Sequence, residues 1–390
     1  MSLEIALLRA TPLRSTHAGV FRNPFVFSDF ASSFGASASS MSSPDSPAKP
    51  AKRRSLAQEI GLALVVVVLG VILAAYGWHD AAPGRPNTFL NVDNLIDGVA
   101  TPMSYYAIMG VGLTVVIITG GIDISVGSIM ALAALAGAAA LQGFPADAPA
   151  WQVLPVAFLV PVAVGLICGL ANGALIVGLN LHPFIVTLGT MSIFRGLANV
   201  LPEQKTLPAA GKRLPEAFTT DFMRVEIFDG IQPMPLVIML GCVALGWFYL
   251  QLTVAGRETY AVGGNEEAAR FSGLRVNRIK LRTYALSGLA AGIAGLVSLG
   301  RFGTASTSTG TGYELTVIAA AVVGGASLAG GRGTALGALL GTLIIALIEN
   351  GILILRMAQE YRLVIIGLAI VVAVALERLS HHLRRRRAAR

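Results

Sequence analysis

Long apolar runs broken by short polar punctuation dominate the chain. Stretches rich in Leu, Val, Ile, Ala and Gly recur at 57–77, 99–119, 126–142, 152–175, 183–201, 234–252, 284–300, 314–329, 334–355 and 361–377. About 20 apolar residues carry a helix across a bilayer, so the pattern predicts roughly ten transmembrane helices and an all-α polytopic membrane fold. Two of the runs, 126–142 and 314–329, are short, and glycines interrupt several others.

The ends differ from this middle. Residues 1–55 are rich in Ser, Ala and Pro with no long apolar run, and read as a disordered N-terminal extension. Arg9, Arg14 and Arg22 among serines give a faint transit-peptide pattern, and Met41 is an equally good start; no cleavable signal peptide is evident. The membrane domain is expected over 56–380 and a basic tail over 381–390.

Composition agrees with the pattern. Of 390 residues, 54% are hydrophobic and 13% charged, about half the charged fraction of a soluble domain. The 44 glycines suit closely approaching membrane helices. The formal charge of +8 sits in clusters flanking apolar spans, such as Lys52-Arg53-Arg54 and Arg384 to Arg387, so no nucleic-acid partner is expected. Placing Lys52-Arg53-Arg54 inside puts about twice as many Lys and Arg on that side as on the other, which predicts both termini in the cytoplasm. Cys168 and Cys242 lie in apolar runs without CxxC, HExxH or a His cluster, so no metal site or thiol chemistry is expected.

Two polar segments break the pattern. On the predicted outside, 202–233 mixes both charges with four prolines and reads as a small solvent-facing cap or docking surface. On the predicted inside lies GRETYAVGGNEEAARFSGLRVNRIKLRTY, 256–284. Within it Asn265 is a good N-cap, and Glu266 and Glu267 suit a first helical turn. Glu266 and Arg270 are spaced to pair, and Gly273 suits a left-handed C-terminal position. The expected helix is about 10 Å long and too short to stand alone in water. Ala268, Phe271 and Leu274 give it one apolar face, which either folds back on the membrane helices or docks on another protein.

This segment resembles the coupling loop of bacterial ABC-importer permeases. Glu267-Ala268-Ala269, three residues, then Gly273 matches their EAA-x-x-x-G core. Their longer form continues to Ile-x-Leu-Pro, whereas this chain has Ile279-Lys280-Leu281, nearer and without the proline, which suits the ribose-type monosaccharide branch. GLTVVIITGGIDISVGS (112–128), GLANGALI (169–176), HPFIVTLGTMSIFRGLA (182–198), GYELTVIAAAVVGGASLAGGRGT (312–334) and LIENGILIL (347–355) are similar to that branch too, and the resemblance spans about 90–377.

The resemblance implies a multi-pass permease of the bacterial inner membrane with no enzymatic activity and no cofactor of its own. It implies an ABC ATPase docked on a cytoplasmic coupling helix, with Asn265, Glu266, Glu267, Ala268, Ala269, Arg270, Phe271 and Gly273 as the contact residues. It further implies a periplasmic or extracellular sugar-binding protein and a second permease copy. In keeping with this, the chain has no GxxxxGK[ST], so ATP is expected on the partner. The competing reading is an ion-coupled secondary transporter of a small polar solute, which calls for carboxylates or broken helices near the midplane.

Candidate path or gate residues are the polar groups in apolar runs. Asp123 with Ser125 reads equally as a gate and as a helix cap. Asn172, Thr187 and Thr190 can meet a sugar hydroxyl or bond a neighbouring helix. Arg195 can line the path or pair with a carboxylate such as Glu349, which adjoins Asn350. His182 reads as a helix-start residue. Glu314 reads as a helix cap or an outside contact. TGGIDISVGS (119–128) and VGGASLAGGR (323–332) share a glycine pattern and would both turn on the cytoplasmic side.

Overall fold

The structure is a computed structural model that describes residues 51–80, 87–200, 202, 205–227, 231–358, 360–372 and 375. The expected disorder of the extension over 1–50 and the basic tail over 381–390 lie outside these residues. The first helix begins at Ala51, so the boundary drawn at 55 falls inside it.

Among the described residues, ten apolar helices appear where the ten runs predict them. They are α1 (Ala51–Asp80), α2 (Thr101–Ile118), α3 (Val126–Leu141), α4 (Ala150–Leu179), α5 (Pro183–Val200), α6 (Met234–Leu252), α9 (Val276–Phe302), α10 (Tyr313–Val323), α11 (Ala335–Ile354) and α12 (Tyr361–Val372). Two polar helices, α7 (Val254–Gly264) and α8 (Glu266–Phe271), intervene. Seven apolar segments among the described residues are long enough to cross a membrane, the second running from Asn94 through a wide π-type turn into α2. The three shorter ones are α3, α10 and α12. At 11 residues α10 spans about 16 Å, half a bilayer core.

The central helix is α2, every residue of which except Pro102 is buried. Helices α6, α9, α10 and α11 surround it. The α4–α9 crossing is built from glycine. A Cβ on Gly165 or Gly169 would run into the α9 backbone at Gly288 and Tyr284, and one on Gly288 or Gly292 into the α4 backbone at Gly165 and Pro161. Removing side chains lets the backbones touch, the packing mode that replaces hydrophobic burial inside lipid. Peripheral α1, α5 and α6 keep large apolar residues exposed, as lipid-facing helices do.

Three expectations need correction. The span expected at 284–300 begins at Val276, because Asn277, Arg278, Lys280 and Arg282 continue the helix out of the apolar region. The span expected at 314–329 stops at Val323, where Gly324 and Gly325 (φ +94°) end it. The 202–233 segment is no mere solvent-facing cap. Thr206–Leu207 pairs antiparallel with Ala305–Ser306, and Phe218 and Met223 are fully buried, with Met223 packed on Gly300 of α9.

Candidate functional site

The chain between α2 and α3 turns back into the bundle. Gly120 takes φ +78°, and residues 121–125 run outside any helix until α3 starts at Val126, its first turn bonded to the Ser125 carbonyl. Asp123 at the bottom of this descent is fully buried. Its Oδ1 accepts the Ser125 backbone N–H at 3.0 Å and the Ser125 hydroxyl at 2.6 Å. Its Oδ2 accepts the Ser287 hydroxyl of α9 at 2.9 Å. Asn172 of α4 donates to Ser125 Oγ at 2.8 Å and lies 3.5 Å from Asp123 Oδ1, while its own Oδ1 has no partner. Asp123 binds the N–H of the residue before α3, where the positive end of the helix dipole favours an anion. Neutral donors and that dipole hold the carboxylate in place.

Two further bonds fasten the descent. Tyr284 of α9 donates its hydroxyl to the Ile122 carbonyl at 3.2 Å, and Thr187 of α5 reaches the same oxygen at 3.4 Å. Thr190 donates to the Thr187 carbonyl within its own helix at 3.4 Å. Both threonines are buried against α3, so their hydroxyls serve helix packing in this conformation.

A second junction joins α3 to α10. A Cβ on Gly127 would strike the Gly310 carbonyl and lie 2.6 Å from Glu314 Oε2, so the first turns of α3 and α10 meet inside the bundle. Glu314 Oε2 is buried there without a hydrogen-bond partner, while Oε1 accepts the Gly312 N–H at 3.3 Å. Arg195 of α5 does not pair with Glu349. It donates to the carbonyls of Thr307 and Thr309, at 3.0 and 2.7 Å, and fixes the loop that leads into α10. Glu349 pairs instead with Arg362 of α12 at 2.7 Å, and Arg362 also donates to the Tyr106 hydroxyl at 2.7 Å. The extended guanidinium offers several donors, so one Arg serves both acceptors. Asn350 is buried in a reciprocal amide pair with Asn94, at 2.7 and 3.2 Å. Glu349 and Asn350 therefore join elements rather than face an open path in this conformation.

The polar segment forms the most exposed part of the site. Asn265 caps α8 by accepting the Ala268 N–H at 2.9 Å. Glu266 pairs with Arg270 at 3.2 Å and with Lys280 of α9 at 2.8 Å. The hydrogen bond from Lys280 holds the Glu266 carboxyl below its ordinary range. Gly273 takes φ +83°, a conformation that suits glycine. The expected apolar face is divided. Ala269, rather than Ala268, turns inward with Val262, Val276 and Ile279, and Leu274 joins that cluster. Ala268, Glu267 and Phe271 are exposed, Phe271 at 84%. The reason is the Lys280–Glu266 pair together with the left-handed Gly273, which roll α8 so that residue 269 faces α9.

The two glycine turns that the sequence paired at a distance meet here. The Gly331 N–H donates to the Ile118 carbonyl at 2.8 Å, and Gly330 lies against Gly120 and Gly263. Sequence reasoning missed Ser287, Tyr284, Lys280, Asn94 and Arg362. Ser287 sits in a run of small residues with nothing to mark its direction. Lys280 carried a signal, a cation among the charges that follow Glu266, but not at helical spacing from it.

Among the described residues, ten apolar helices around a buried polar descent, with a capped polar helix at one end, define a multi-pass membrane protein. Residues 95–374 match the family model described as "Branched-chain amino acid transport system / permease component", and the chain belongs to that family. It is 36% identical over 323 residues to the Ribose import permease protein RbsC of Bacillus subtilis, covering 82% of this chain and 93% of that protein. It is 35% identical to the D-allose transport system permease protein AlsC of Escherichia coli K12, covering 80% and 90%. It is 34% identical to the Galactose/methyl galactoside import permease protein MglC of the same strain, covering 81% and 94%. No solved structure matches the chain.

Proposed function

We propose that this chain is the translocation subunit of a monosaccharide importer driven by a separate ATP-hydrolysing subunit. The observation that carries this reading is α8. It is capped, ion-paired and braced from behind by Val276 and Ile279, yet it presents Phe271 and Glu267 outward. A helix this short is not stable alone, and a braced one with an exposed aromatic suits a groove on a partner. The partner binds the nucleotide, and this chain contributes no catalytic group and no cofactor.

The rest of the assembly follows the same reading. A second copy completes the path, and a sugar-binding protein delivers substrate to the opposite face. The Lys and Arg bias supports α8 and both termini on the cytoplasmic side of the bacterial inner membrane. The named sugars of the relatives make a pentose or hexose the substrate class, with ribose tested first. Movement of α8 passes through the Ala269 cluster into α9, and Ser287, about 16 Å further along that helix, transmits it to Asp123. Membership in the permease family favours this reading over ion coupling.

The test is co-purification from membranes together with sugar-stimulated ATP hydrolysis in the reconstituted complex. An ATPase is expected to be retained by the wild type and lost about tenfold on Phe271→Asp or Glu267→Lys, with the melting temperature of the permease unchanged. Sugar uptake that persists without any ATPase subunit and collapses with the proton gradient would overturn the proposal.

A further inference from the structure

A cleft of about 430 Å³ lies at the end of the bundle that carries α8. One wall is the α8 entrance, Gly264 to Glu266, and the other is the Gly120–Gly121 turn with His182 at the start of α5. Lys280 and Tyr284 of α9 also line it. We infer that this cleft is a monosaccharide site on the exit face, which a released sugar occupies and through which it restrains α8. The inference rests on the transport reading above and adds to it a place where the product acts.

Size and charge both point to a neutral polyol. The volume falls within the usual range for small-molecule sites, about 300–1,000 Å³, and accommodates a pentose or hexose with some water. The two formal charges on the wall, Lys280 and Glu266, are paired with each other at 2.8 Å, so the cleft has little field with which to select an ion. Hydrogen-bonding capacity is plentiful by contrast. The Thr119 hydroxyl donates to the Val116 carbonyl and keeps its acceptor lone pairs, and exposed His182 accepts the Phe184 N–H at 3.4 Å through Nδ1, leaving its second ring nitrogen for a ligand. Four glycines in the walls leave peptide groups uncovered by side chains.

The coupling follows from which elements form the walls. Gly264, Asn265 and Glu266 move with α8, whereas Gly120, Gly121 and His182 belong to the membrane helices and their turns. A ligand that bridges them favours the wall separation seen here and opposes any displacement of α8. Binding and displacement are thermodynamically linked, so sugar at this face stabilises the undisplaced state and opposes the stroke that driven import requires.

The experiment uses the complete permease–ATPase complex in nanodiscs without the binding protein, with ribose, D-allose and galactose as probes and saturation-transfer NMR as the readout. Saturable millimolar binding of at least one sugar is expected. Gly264→Leu, at a cleft-lining position where a Cβ meets nothing within 4 Å, should abolish it. His182→Ala should weaken it at least fivefold and guards against misfolding of the first variant. In proteoliposomes, sugar preloaded on the ATPase side should slow initial import at least threefold in the wild type and much less in His182→Ala. Equal binding by the wild type and both variants overturns the inference, as does binding of inorganic phosphate in place of sugar. A wild-type complex that imports sugar yet shows no cleft binding removes this inference alone. A wild-type complex whose ATP hydrolysis no sugar stimulates removes the transport reading instead.

Discussion

Asp123 shows how much a single buried carboxylate organises. Its two oxygens take the Ser125 N–H, the Ser125 hydroxyl and the Ser287 hydroxyl, and through Ser125 they also hold Asn172. Replacing it with Ala strands several buried donors, each costing about 1–3 kcal/mol. Asp123→Ala is therefore expected to lower the melting temperature of the detergent-purified chain sharply. Asp123→Asn, which still accepts from Ser125, should cost less, and thermal unfolding of the two variants side by side checks this. Glu266 gives a pH prediction. Its folded-state pKa is depressed by Lys280, so its contribution is fully present above the ordinary value of 4.5 and is lost only as pH falls below that value through the depressed one. Retention of the ATPase should thus show no Glu266-dependent change between pH 8 and 6, which a Glu266→Gln comparison across that range measures. Much at this scale was legible in the sequence. The Asn265 cap, the Glu266–Arg270 pair and the left-handed Gly273 all follow from spacing along one helix. Ser287 and Arg362 were not legible, because their partners lie 164 and 13 positions away and local spacing says nothing about such pairings.

Among the elements, glycine has two different meanings. On α4, Gly165 faces the α9 backbone, whereas Gly178 faces open space. Both are glycines of the same apolar helix, and hydropathy does not separate them. The structure predicts opposite outcomes for the same change. Gly165→Ala forces the two backbones apart and should cost about 1–3 kcal/mol, as overpacking does. Gly178→Ala should be neutral or stabilising by up to about 1 kcal/mol, the helix-propensity gain. Melting curves of the two purified variants decide it. The short helices teach a related lesson. Composition showed that 126–142 and 314–329 were brief, but nothing in either run showed that their first turns meet through Gly127 and Glu314. The ten apolar helices were legible because each is a long, local hydrophobic signal. Helices α7 and the start of α9 were hidden because charged residues interrupt that signal without interrupting the backbone hydrogen bonds.

For the whole molecule, these contacts fix an order of assembly. The descent at 119–125 belongs to the first third of the chain, yet Ser287, Tyr284 and Gly310, which hold it and the start of α3, come from the last. A chain ending at residue 275 is therefore expected to insert its early helices while leaving the descent unfastened. In a background with Cys168 and Cys242 replaced by Ala, Ser125→Cys should react with a maleimide in that truncated chain and stay protected in the full-length one, where Ser125 is fully buried. At about 5–20 residues per second, the 164 residues between Asp123 and Ser287 take roughly 8–33 s to synthesise. Through that interval a carboxylate destined for the centre of the bundle lacks its α9 donor. The nascent permease thus carries an unfinished polar wound within its apolar body, one that closes only when the ribosome has passed the segment that will later drive it.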